Sequence, residues 1–103
     1  MTACLVLTAA TATNREVNAA AATRTVVIEG LKYNPGELTV HRGERIVWVN
    51  KDFFPHTVTA DKQAFDSGSI AANGTWSYLA RKPGEYAYSC TFHPTMKGKI
   101  TVQ

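Results

Sequence analysis

The sequence predicts an all-β chain folded as an antiparallel sandwich, and three observations carry that expectation. From Thr23 onward the apolar residues come in short runs rich in Val, Ile, Thr and aromatics, the types that suit a pleated, half-buried surface. Gly, Pro and Asn punctuate those runs at short intervals, as tight connections between strands require. Nowhere after residue 23 does an uninterrupted helical pattern of about ten residues occur, so no helix long enough to cover a sheet is expected.

Taken in order, Thr25 to Glu29 is a β-branched run that meets Gly30. Asn34-Pro35-Gly36 reads as a turn, and Leu38 and Val40 then alternate with Thr39 and His41. The alternation puts His41, beside Arg42, on the exposed face. Arg42-Gly43 turns the chain into Arg45 to Asn50, which holds the run Ile46-Val47-Trp48-Val49. His56 to Ala60 alternates again, with His56 and Val58 on one face and Thr57 and Thr59 on the other. Asn73-Gly74 precedes a strand at Thr75-Trp76-Ser77-Tyr78, and Lys82-Pro83-Gly84 precedes one at Glu85 to Cys90. In the latter, Tyr86, Tyr88 and Cys90 share a face opposite Ala87 and Ser89, and the aromatics make that the core face. Lys99 to Gln103 is the last strand.

The chain has 103 residues, 45% of them hydrophobic and 18% charged, which suits one globular domain and no more. That domain is expected at 23–103. Residues 1–22 differ: Ala3 to Ala12 is apolar or small, and Ala19 to Ala22 is an alanine run. An apolar stretch of about ten residues is too short to span a bilayer but suits the core of an export signal. No Lys or Arg precedes Arg15, so the basic start of such a signal is missing, and a flexible or strand-forming extension is the alternative. An exported, periplasmic location is expected, or a thylakoid-like lumen, without stable membrane insertion. The net charge of +3 is mild and its Lys and Arg are scattered, which argues against nucleic acid as a partner. Only two cysteines occur, Cys4 and Cys90, too few for a disulfide framework, so Cys90 reads as a free thiol with a role of its own.

Chemistry concentrates in Cys90-Thr91-Phe92-His93-Pro94-Thr95-Met96, where Cys, His and Met follow one another at intervals of three. Upstream, His56 follows Phe53-Phe54-Pro55. Singly, each has an ordinary explanation: a half-buried histidine, an inert core thiol, a methionine filling a gap. Together they are a soft donor set of two imidazoles, one thiolate and one thioether, unlike structural zinc sites and unlike the oxygen-rich sites of hard cations. That set, with methionine as a weak axial donor, is the one associated with blue copper. Strand parity aims both His56 and Cys90 inward, where they could meet at one end of a sandwich while the loop after Cys90 folds over them.

The stretch from Trp48 to Gln103, with its Cys-x-x-His-x-x-Met loop, resembles the cupredoxins, most of all their amicyanin and pseudoazurin group. Leu31 to Pro35, Gly43 to Asn50, the Pro55-His56 pair and Met96-Lys97-Gly98 fit the same group, so the similarity covers 24–103. The resemblance implies a Greek-key sandwich that binds one copper ion, with His56, Cys90 and His93 as strong ligands and Met96 as the weak axial one. It implies an electron carrier and not an enzyme: a monomer meeting redox proteins transiently at an apolar patch around His93, made by Phe53, Phe54, Pro55, Phe92 and Pro94. Asn50 resembles the residue that braces the ligand loop, and Tyr86 the tyrosine corner, unless it is a plain core aromatic. Where amicyanin has proline this chain has Phe92, whose amide is expected to hydrogen-bond the Cys90 sulfur and favour the reduced metal. A module for copper storage, delivery or resistance is the alternative function. A multicopper enzyme would need more histidines than the three present.

Overall fold

The computed structural model describes residues 22–103. Except for residue 22, the expected export segment lies outside the described residues. Eight strands follow in order: β1 (Thr23–Ile28), β2 (Tyr33–Asn34), β3 (Glu37–Val40), β4 (Arg45–Asn50), β5 (Thr59–Ala60), β6 (Thr75–Leu79), β7 (Gly84–Ser89) and β8 (Lys97–Val102), with one short 3-10 helix at Asp61–Gln63. They form two four-stranded sheets, ordered β2-β1-β4-β6 and β3-β8-β7-β5. The chain changes sheet at every step from β2 to β7, which makes the two layers inseparable parts of one core.

The sandwich is mixed rather than wholly antiparallel. β1 runs parallel to β4, and β3 parallel to β8, while the remaining ladders are antiparallel. Alternation of side chains has the same period in both kinds of pairing, so the sequence pattern does not distinguish them.

Inward-facing residues of both sheets fill the space between. Val26, Ile28, Ile46 and Trp48 from one sheet meet Val40, Tyr88, Ile100 and Val102 from the other, all buried. Trp48 anchors this layer: its Nε1–H donates to the Tyr88 hydroxyl at 3.2 Å, satisfying the one polar group a buried indole carries. Tyr88 in turn meets Tyr33 edge-on, at 4.7 Å between ring centroids. Across the β7–β8 ladder Tyr88 faces Gly98, where an added Cβ would lie 2.4 Å from the tyrosine ring. Glycine is required at that position because the ring occupies the side-chain space.

Strand β4 coincides with the expected run, and Tyr86, Tyr88 and Cys90 alternate inward as read. Two elements differ. β2 takes in Asn34, the first residue of the segment read as a turn, and pairs Tyr33 and Asn34 with Ile28 and Val27. The strand expected from His56 begins only at Thr59, because the preceding amides are spent elsewhere. The Thr57 N–H goes to the Cys90 sulfur and the Val58 N–H to Ser67 Oγ, leaving His56 in an isolated bridge with Ile70.

Candidate metal centre

Three donor side chains converge at the end of the sandwich where β4 and β7 finish. One atom each of His56, Cys90 and His93 lie within 4.8 Å of one another. His56 comes from the segment after β4 and is completely buried. Its amide donates to the Ile70 carbonyl and its carbonyl accepts from the Ile70 N–H, so a small ladder fixes the backbone on which the ring is mounted. Cys90 follows β7 and is also buried, with Sγ 3.7 Å from His56 Nδ1.

His93 and Met96 sit on the loop between β7 and β8. The loop is closed by its own backbone: the Met96 N–H donates to the His93 carbonyl at 2.9 Å, and the Cys90 N–H to the Met96 carbonyl at 3.3 Å. This tight turn buries Met96 beside the cluster. Thr57 pins the start of the loop, accepting the Thr91 N–H on Oγ1 at 2.9 Å.

The electrostatics favour a thiolate. Burial pushes the Cys90 thiol up, but the Thr57 amide, the His56 ring and the amides of His93 and Phe92 outweigh it and bring the pKa to about 6. The amide expected of Phe92 is thus among the groups that draw charge onto the sulfur. Across the ring from the thiol, Asp52 Oδ2 lies 2.8 Å from His56 Nε2. Burial raises the Asp52 carboxyl, while the Gly30 and Leu31 amides and the His56 ring pull it below the ordinary carboxylate range.

The donor set fits a soft metal ion. His93 Nδ1 is buried with no hydrogen-bond partner among the described residues. An orphaned polar atom of this kind is costly unless a ligand completes it. Together with the His56 nitrogen and the acidified thiol it offers three donors to one point, with the Met96 thioether in the same loop, as soft transition metals prefer.

Of the residues singled out in sequence, His56, Cys90 and His93 come together, and His41 is exposed on the surface as expected. Phe54, Pro55 and Phe92 line a shallow cavity of about 290 Å³ with His93. Phe92 is 51% exposed. Phe53 is different: it is 96% exposed and does not line that cavity. Asn50 is a brace, but of another segment. Its Nδ2 donates to the carbonyls of Phe54, Ile70 and Ala71, and its Oδ1 accepts from the Asp52 N–H. It therefore holds the approach to His56, and Thr57 ties down the Cys90 loop. Tyr86 donates its hydroxyl to the Lys82 carbonyl at 2.6 Å, the back-bond of a tyrosine corner. Sequence reasoning missed Asp52 and Thr57. The signal for Asp52 was its place four residues before a candidate ligand, while Thr57 acts through its amide and its Oγ1 on residues more than thirty positions away, which composition does not reveal.

Fold and site define a β-sandwich metalloprotein with a soft nitrogen–sulfur centre at one end. The chain belongs to the cupredoxin-like domain family, which it matches over residues 1–102. It is similar to amicyanin of Paracoccus versutus, 35% identical over 83 residues, an alignment that takes in 76% of this chain and 63% of the relative. The chain thus spans less than two thirds of that amicyanin. Similarity extends to plastocyanin of Scenedesmus fuscus, 34% identical over 86 residues, with 71% of this chain and 88% of the relative covered. Among solved structures, the Cu(I) form of an amicyanin mutant superposes with a TM-score of 0.74 at 30% identity, over 79% of this chain and 82% of that one.

Proposed function

We propose that this protein is a blue-copper electron carrier, holding one copper ion through His56, Cys90, His93 and Met96. The observation that carries the reading is the convergence of two imidazole nitrogens and an acidified, buried thiol within 4.8 Å. A bound copper would supply a one-electron Cu(II)/Cu(I) couple. The chain's own part is to keep its donors still through the change of charge. Ile70, Asp52 and Thr57 fix His56 and Cys90, and the backbone bonds of the loop fix His93 and Met96. A frame that does not rearrange suits both oxidation states and makes exchange fast.

His93 is the donor nearest the surface, and we assign electron entry and exit to its ring edge. The apolar surface of Phe54, Pro55 and Phe92 around it excludes water and suits the small interfaces of brief redox encounters. Partners are other redox proteins, met by a monomer; the role is carriage of an electron and not catalysis. Among the described residues no helix is long and apolar enough to cross a membrane. Residues 23–103 would form the working domain, and residues 1–22 the remnant of a signal for export to the periplasm.

The test is the visible spectrum after addition of Cu(II), beside Cys90→Ser. An intense blue band, reversibly bleached by ascorbate and lost in the variant, is the expected result. A pale copper site, readily stripped by chelators, would replace electron carriage with copper handling.

A further inference from the structure

Asp52 makes more contacts than a surface carboxylate needs, and all of them lock it in place. Its own N–H donates to Asn50 Oδ1 at 3.0 Å. Its Oδ1 accepts the Gly30 N–H at 2.8 Å, and Oδ2 accepts the Leu31 N–H at 3.1 Å. Gly30 and Leu31 both have positive φ, at 65° and 61°. Leucine rarely adopts that conformation, and here it aims two successive amides at one carboxylate. The turn after β1 is therefore shaped around Asp52, whose side chain is only 11% exposed.

The remaining contact is to His56 Nε2, at 2.8 Å. An ionised carboxylate only accepts hydrogen bonds, so the ring nitrogen facing it carries the proton. The other ring nitrogen, His56 Nδ1, is the one that faces Cys90 Sγ, at 3.7 Å. The other neighbours of the ring, Phe54 and His93, pack against it at 5.3 Å between centroids and do not compete for Nε2. A carboxylate behind a metal-binding histidine sets tautomer and orientation and makes the ring a stronger donor.

We propose that Asp52 is a positioning residue for the metal centre: it holds the His56 ring at Nε2 so that Nδ1 is turned toward Cys90, and it places a negative charge behind that ring that favours the oxidised over the reduced metal. This rests on the copper-carrier reading above. Removing the charge while keeping the shape, as in Asp52→Asn, raises the preference for Cu(I) over Cu(II) about tenfold. Electrochemistry reads that as a potential about 59 mV higher for a one-electron couple. Asp52→Glu retains the charge and stays within about threefold of the parent.

The two variants separate a tuning role from a scaffolding one. If Asn and Glu shift the potential alike, or if Asn leaves it unchanged or lowers it, the proposal is overturned, because Asp52 then only holds the Gly30–Leu31 turn. A second measurement needs no variant. Nitrogen NMR of the parent protein loaded with diamagnetic Cu(I) is expected to show the proton of the His56 ring at Nε2, on the Asp52 side; a proton at Nδ1 overturns the proposal even if both variants fail to fold. A parent protein that never turns blue refutes the carrier reading, whereas a blue parent whose potential ignores Asp52→Asn refutes the present proposal alone.

Discussion

The two ends of the sandwich are braced with equal care and to opposite purposes. At the end away from the metal centre every named brace closes on itself. The His41 N–H donates to Glu44 Oε1 at 2.9 Å, Arg24 approaches Glu44 Oε2 at 3.6 Å, and Tyr86 caps the Lys82 carbonyl. Gly43 and Ala80 exchange further backbone bonds with that turn. At the other end Asn50, Asp52 and Thr57 spend their hydrogen bonds on holding neighbours whose donor atoms stay open. His93 Nδ1 has no partner, and an apolar cavity lies beside it. The far end is polar bonding in the service of the fold; the site end is polar bonding in the service of a group the fold does not itself contain.

The comparison predicts that site-end variants change the metal centre together with stability, and far-end variants stability alone. The largest effect is expected from Asn50→Ala. It strips the Phe54 carbonyl of its only donor among the described residues and those of Ile70 and Ala71 of a second donor, and it leaves the Asp52 N–H without its acceptor; hydrogen-bonding groups left without partners cost about 1–3 kcal/mol. We expect a loss of about 3 kcal/mol in denaturant unfolding, with a weakened blue band because the approach to His56 loosens. A variant as stable as the parent, or one that loses stability with an unaltered spectrum, would break the distinction between the ends.

A smaller effect, confined to the metal, is expected from Phe92→Pro. The substitution removes a loop amide without removing a proposed ligand, and that amide is among those pulling the Cys90 thiol down. With less positive charge at the sulfur the thiolate donates more strongly and the oxidised metal gains. The potential should fall by roughly 60 mV, a tenfold change for one electron. The unfolding midpoint should barely move, since residue 92 is half exposed. An unchanged or higher potential would remove Phe92 from the account.

How much of this was legible in the sequence follows the same division. Strand β4 could be bounded from residues alone because Ile46, Trp48 and Asn50 alternate inward without a break. Cys90, His93 and Met96 were legible because they are close in sequence and chemically unusual together. The short β5 was overread: its pattern alternates correctly, but pattern says nothing of amides diverted to Cys90 Sγ and Ser67 Oγ. Asp52 stayed hidden because its partners Gly30 and Leu31 lie 22 and 21 residues away, brought near only by the parallel pairing of β1 with β4. That pairing is itself invisible to a period of two.

The smallest prediction tests the far end by pH. Glu44 has its carboxyl held below the usual range, first by the His41 amide and then by Arg24, against some burial. A folded-state pKa below the unfolded one means that the unfolded chain binds more protons between the two, so stability rises with pH there. The contribution is fully present above the unfolded glutamate value of about 4.3 and is lost as pH falls through the lower folded value. Thermal melts of the parent and of Glu44→Gln should therefore differ at neutral pH and converge on acidification below about pH 4. The copper band at neutral pH should be the same in both, because Glu44 precedes β4 and the metal centre lies beyond its other end. A gap between the two melts that does not narrow in acid would mean that the Glu44 brace acts through shape and not charge. A shifted copper band would mean that the two ends of the sandwich are coupled through β4, and the division of labour drawn between them would fail.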